Sequence, residues 1–242
     1  MTITYIIEKT SRYKMAGPIP ILLQGVGIEL VYSFVIIVCS LMIYFATREM
    51  YELSSYKGIK YFRQAFLIFA IAYFFKSFIK IMLVYFGATR IIDISILFMG
   101  SLTLFAFIFF GCLAVFYLVY SLMWKEWNNK PNLIMGLFYV LSILASFIII
   151  TTKQIEIFLG ITLFILAVAI FGLYITHQQS KRRKKKNNIH IIYTLLFVFW
   201  ILNIIEVLIP GLLRAYEILL YFASLGIFLT ILYKVLKKSG SN

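Results

Sequence analysis

The sequence predicts an all-α fold: a polytopic membrane protein, built as a bundle of seven transmembrane helices with the amino terminus outside and the carboxyl terminus inside. Three observations carry that expectation. Apolar runs of about twenty residues recur along the 242-residue chain, and each is long enough to cross ~30 Å of hydrocarbon as a helix. Hydrophobic residues make up 63% of the chain and charged residues 13%, against roughly 45–50% and about 25% in soluble domains. A soluble protein of this size could not cover so much apolar surface. The cations, finally, are unequally divided between the two sides that the order of segments defines.

The segments follow in order. Residues 1–20 mix Ile3, Tyr5, Ile6 and Ile7 with Glu8, Lys9, Arg12 and Lys14 and close on Pro18 and Pro20. Two readings stand for them: a short amphipathic stretch on the membrane surface, or a lead without structure. No cationic leader followed by a short apolar core and cleavage site precedes the first span, so no removable signal peptide is expected. The seven-helix domain covers 21–238, and 239–242 form a tail. Its spans are expected at about 22–46, 61–86, 94–123, 132–150, 155–175, 191–209 and 212–233. Between them lie a polar loop from Arg48 to Lys60, a turn with Gly87, Arg90 and Asp93, and an interfacial loop from Trp124 to Pro131. Then come the turn Thr151–Gln154, a cationic loop from His177 to His190, and the break at Pro210 and Gly211. Trp124 and Trp127 fit the aromatic belt at a membrane interface.

Orientation follows from Lys181, Arg182, Arg183, Lys184, Lys185 and Lys186, six consecutive cations between two apolar segments. Such a run cannot enter hydrocarbon, and cations are retained on the cytoplasmic side. On the side of that run lie fifteen Lys and Arg: Arg48, Lys57, Lys60, Arg63, Lys125, Lys130, the six of the run, Lys234, Lys237 and Lys238. The other side has six: Lys9, Arg12, Lys14, Arg90, Lys153 and Arg214. The formal net charge of +14 therefore points to anionic lipid headgroups or an acidic cytoplasmic partner at the basic loop, and no nucleic-acid partner is expected.

Lys76 and Lys80 remain, inside the second span. An ionisable group at mid-membrane costs about 2.5–3.5 kcal/mol on insertion scales, so each needs a reason. Tyr73, Lys76 and Lys80 share one helix face. Glu29 in the first span falls at a similar depth, with Tyr32 and Ser33 continuing its face, so a Glu29–Lys80 or Glu29–Lys76 pair is expected. Trp200, Asn203 and Glu206 form a polar face in the outer half of the sixth span, and Arg214, Glu217 and Tyr221 one near the outer end of the seventh. If these helices are neighbours, the groups converge on an outward-facing pocket with Glu29, Tyr73, Lys76, Lys80, Asn203, Glu206 and Glu217 as its ligand or ion contacts. The competing reading makes Glu29 and one lysine a register-fixing pair, with Lys80, Arg214 and Glu217 reaching to the interface.

Other chemistry is not indicated. Cys39 and Cys112 fall inside spans and are too few for a disulfide framework or metal cluster. His177 and His190 flank the cationic loop, where they cannot hold a haem within the bundle. No metal site, cofactor, catalytic residue or enzymatic motif is expected. Gly136, Gly160 and Gly172 are expected to let helices approach closely, and Tyr139, Ser142 and Ser146 to join helix packing.

Seven spans with the amino terminus outside resemble the layout of microbial rhodopsins and of seven-helix receptors and sensor modules. The stretch Tyr221-Phe222-Ala223-Ser224-Leu225-Gly226 in the seventh span holds no lysine for a retinal Schiff base, so a covalent retinal pigment is disfavoured. Tyr61-Phe62-Arg63-Gln64-Ala65-Phe66 and Ala72-Tyr73-Phe74 resemble stretches of uncharacterised archaeal multi-helix membrane proteins. The resemblance implies a multi-pass protein of the cell membrane and carries no activity with it. The functions in view are a sensor or receptor-like protein binding a small ligand or partner helix, a small transporter or ion-conducting protein using the same charges, or a structural subunit of a membrane complex. A homo-oligomer or a membrane partner is compatible with each.

Overall fold

The structure is a computed structural model that describes residues 20–89, 94–127, 131–152, 154–182, 189–208 and 214–239. Among the described residues there are seven helices and no strand: α1 Pro20–Ser54, α2 Lys57–Thr89, α3 Ile94–Trp127, α4 Pro131–Thr152, α5 Ile155–Arg182, α6 Ile189–Leu208 and α7 Arg214–Ser239. All but α6 are long and apolar enough to cross a membrane, which marks the chain as a membrane protein. Helices are the form such segments take, because backbone groups in hydrocarbon must find their partners within the segment. The hydroxyls comply as well. Thr47, Ser77, Thr103, Ser146, Thr162 and Thr230 each donate to the carbonyl four residues earlier, at 2.6–3.0 Å.

The helices pack in sequence, α1 on α2 through α6 on α7, and α7 closes the ring against α1. α3 also touches α5 and is the central element, with every residue from Cys112 to Ser121 buried. Side chains fix the directions. Phe62 and Phe69 of α2 meet Tyr193 and Phe199 of α6, so these two helices run parallel. Tyr32 of α1 meets Tyr221 of α7, while Phe66 and Phe69 meet Phe228, so α7 runs against α2.

Several helix ends differ from the sequence expectation. The Arg48–Lys60 loop is helix at both ends, and only Ser55 and Tyr56 connect α1 to α2. Leaving the hydrocarbon gives a helix no reason to stop, and Arg48 and Glu52, one turn apart at 2.7 Å, support the extra turns. α1 stops at Ser55 through a left-handed residue (φ 50°) whose N–H bonds the Tyr51 carbonyl at 2.8 Å. In the same way α5 continues past 175 to Arg182, so His177, Lys181 and Arg182 stand on a helix rather than in a loop. Residues 1–19, the cations 183–186 and the Pro210–Gly211 break lie outside the described residues.

The small residues are also redistributed. A Cβ on Gly136 or Gly160 would meet nothing within 4 Å, and on Gly172 only ordinary contacts with Met123 and Val119. The first two therefore mediate no close approach. Gly58 does: a Cβ there would lie 2.5 Å from the Tyr56 ring, 2.8 Å from that of Trp124 and 3.1 Å from the Ser121 carbonyl. Its bare backbone seats the start of α2 against the last turns of α3. On α4, Ser142 and Ser146 are fully buried, whereas Tyr139 is exposed and reaches Tyr117, hydroxyl to hydroxyl, at 3.0 Å.

Candidate functional site

The short α1–α2 connection sets the level of the intramembrane charges. Glu29 lies 25 residues before the end of α1 and Lys80 lies 23 after the start of α2. At 1.5 Å per residue the two stand about 38 and 35 Å from the hairpin, so antiparallel packing brings them level. The structure places Lys80 Nζ 2.5 Å from Glu29 Oε2. Tyr221 of α7 donates to Glu29 Oε1 at 2.9 Å, so both carboxylate oxygens are engaged by neighbouring helices. The Glu29 Oε2 atom at this contact is buried, while the Lys80 and Glu29 side chains as a whole keep 25% and 21% of their surface.

One turn nearer the hairpin, the Lys76 ammonium lies over two rings, 5.4 Å from the centre of Tyr73 and 5.8 Å from that of Tyr32, within the reach of a cation–π attraction. Its charge also acts on Glu29. Tyr32 stands between Tyr73 and Tyr221, with ring centres 6.1 and 4.9 Å away. Deeper still, Tyr73 donates to Asn203 Oδ1 at 2.9 Å, and Asn203 Nδ2 donates to the Phe199 carbonyl at 2.8 Å. That pair of bonds fixes the amide's orientation and brings α6 into the cluster.

Of the seven candidate pocket residues, Glu29, Tyr73, Lys76, Lys80 and Asn203 thus form one chain of contacts across α1, α2 and α6. The side chains of Glu206 and Glu217 lie outside the described residues, as do those of Lys181 and Arg182 on α5. Tyr32 and Tyr221 are the participants absent from that candidate set. Tyr32 follows Glu29 by three residues, a signal present in the sequence. Nothing in the sequence singled out Tyr221 beyond its place one turn from Glu217. Among the described residues no three His, Cys, Asp or Glu side chains come together as metal ligands. Cys39 and Cys112 are buried free thiols on different helices.

A second polar cluster, uncharged, lies towards the Trp124 end of the bundle. Ser121 of α3 donates to the Leu118 carbonyl at 2.9 Å, which leaves the Tyr193 hydroxyl of α6 to donate to Ser121 Oγ. Around it Tyr61 packs on Tyr120 at 4.4 Å, Tyr56 on Trp124 at 5.1 Å and Tyr120 on Trp127 at 5.9 Å. Lys125 lies 5.6 Å over the Tyr56 ring, and Arg63 lies 4.3 Å over Tyr44 while donating to its carbonyl. Aromatic rings interleaved with cations are what a membrane–water boundary selects.

The chain is similar to an archaeal protein of Archaeoglobus fulgidus, named only as an uncharacterized protein. The two are 27% identical over 221 residues, which covers 89% of this chain and 94% of that one. No family model and no solved structure matches the chain.

Proposed function

We propose that this chain is a receptor-like sensor of the cell membrane, with its ligand site at Glu29, Lys80, Lys76, Tyr73 and Asn203. In this reading the amino terminus faces outwards, and the run 181–186 holds the opposite end in the cytoplasm against anionic headgroups. No residue acts as a catalyst. The observation that carries the proposal is the partial openness of the Glu29–Lys80 pair amid buried tyrosines. An approachable pair with a second ammonium one turn away offers a ligand both charge and aromatic faces.

The test uses the full-length chain in maltoside micelles against a panel of small carboxylates, phosphates, amines and amino acids, read as shifts in melting temperature. Binding to the folded state alone adds about 2.7 kcal/mol when ligand is at a hundred times Kd. At least one compound should stabilise the parent chain and fail to stabilise Lys76→Met, which itself melts cooperatively. A panel whose effects are all indifferent to Lys76 and Lys80 removes the proposal.

A further inference from the structure

Both oxygens of Glu29 are engaged, one by the Tyr221 hydroxyl and one by Lys80, so the carboxylate has little left to offer an incoming cation. Lys80 is in the opposite position. An ammonium carries three donors, Glu29 takes one, and a quarter of the side chain is open. The second ammonium, that of Lys76, stands one turn away. Among the described residues, what Lys80 turns towards an approaching molecule is therefore N–H donors and positive charge.

Depth narrows the class further. The aromatic boundary at the Trp124 end includes Tyr61, which packs on Tyr120. Lys80 is nineteen residues beyond Tyr61 on the same helix, about 28 Å along its axis. Hydrocarbon is about 30 Å thick, so Lys80 stands where the opposite leaflet changes from acyl chain to headgroup. Phe74, Phe78 and Ile81 form an exposed apolar stripe, with the two phenylalanine rings stacked at 6.4 Å; it starts at Ile81, roughly 100° round α2 from Lys80, and runs through Phe74 to Phe78, about 120° and about 160° away. A hydrocarbon chain attached to an anionic group at Lys80 would reach this surface by way of Ile81.

We propose that this site takes the oxyanion headgroup of an amphiphile, a carboxylate or phosphate carried on an alkyl or acyl chain, with the anion at Lys80 and the chain along Phe74, Phe78 and Ile81. This rests on the reading of the cluster as a ligand site and names the class of its ligand. Free carboxylate or phosphate ions share the headgroup chemistry, so the experiment separates the two sources.

Full-length protein in maltoside micelles is titrated, at mildly alkaline pH, with tetradecanoate and tetradecyl phosphate. Parallel titrations use acetate, inorganic phosphate, tetradecanol and tetradecyltrimethylammonium, and melting temperature is the readout. The two anionic amphiphiles are expected to give a saturating rise and the other four none. Lys80→Gln should weaken the effect roughly tenfold or more, the scale of a lost charge-assisted hydrogen bond. Because that variant leaves Glu29 without its ammonium, Glu29→Gln/Lys80→Gln is measured beside it. This double variant removes both members of the ion pair and keeps Lys76, should melt cooperatively, and should lose the response as well.

Equal stabilisation by acetate or inorganic phosphate overturns the proposal in favour of a free-anion site, and by tetradecanol in favour of a merely apolar one. Stronger stabilisation by the ammonium amphiphile overturns the charge argument. An undiminished response in the double variant places the amphiphile elsewhere on the molecule. Should the tetradecyl probes fail while a water-soluble compound still stabilises in a Lys76-dependent way, the ligand class falls and the site reading stands. If neither responds, both fall.

Discussion

At one end of the bundle α1, α2 and α7 meet through an ion pair with a tyrosine on its second oxygen; towards the other, α3 and α6 meet through two neutral hydroxyls. The difference lies in what each arrangement costs to bury. Paired hydroxyls lose little on leaving water, and the Ser121–Tyr193 contact is accordingly sealed, at 5% and 3% exposure. Ions lose far more, and Glu29 and Lys80 retain over a fifth of their surface. A bundle held by hydroxyls alone would be the cheaper construction. The charged cluster is thus the costlier of the two to bury, and the neutral one behaves as ordinary helix association.

Four substitutions test that contrast, taken from the largest expected effect down. Lys80→Met strands the Glu29 carboxylate and should cost about 2–4 kcal/mol, somewhat under the figure for a fully buried pair because this one is partly open. Unfolding in mixed micelles measures it, and Glu29→Gln/Lys80→Met should recover most of the loss. If the single variant is neutral, the pair is effectively solvated and the contrast between the ends disappears. Gly58→Ala pushes a methyl into Trp124 and a backbone carbonyl that cannot yield, and should cost about 1–3 kcal/mol in the same assay. An unchanged midpoint would mean that the seat of α2 on α3 is looser than the structure has it.

Tyr193→Phe removes one hydrogen bond while Ser121 keeps its carbonyl partner, so about 1 kcal/mol should be lost. A loss as large as that of Lys80→Met would make the neutral end the critical one and reverse the comparison. The smallest effect has the opposite sign: Ser55→Gly relieves a left-handed residue and should stabilise the hairpin by about 0.5–1 kcal/mol. A lowered melting temperature would instead show that Ser55 makes some contact worth more than the relief of its backbone.

The helices were legible in the sequence because hydrocarbon demands long apolar runs, and nothing else in this chain is long and apolar. Their ends were not, because helical hydrogen bonding continues into water wherever polar side chains support it. Arg48 to Ser54 and Thr176 to Arg182 are such extensions, written in residues that also make loops. At the site, the level match of Glu29 with Lys80 could be counted from the hairpin. Tyr32 followed from the face of Glu29 and Tyr221 from the face of Arg214 and Glu217, but only the placement of α7 sets Tyr221 against Glu29. The Ser121–Tyr193 bond joins residues 72 positions apart, which no periodicity within either helix could signal. The role of Gly58 was equally hidden, since Gly136 and Gly160 looked no different until their neighbours were placed.

The central claim is that the charged end serves binding and the neutral end serves packing. Two double variants, Glu29→Gln/Lys80→Gln and Ser121→Ala/Tyr193→Phe, put it to a direct measurement of unfolding free energy and of stabilisation by a Lys76-dependent ligand in the same micelles. The first should keep its stability within about 1 kcal/mol, since both charges go together, and lose the ligand response. The second should lose stability and keep the response. A charged-end variant that still responds to ligand, or that collapses while the neutral-end variant stands, would contradict the account.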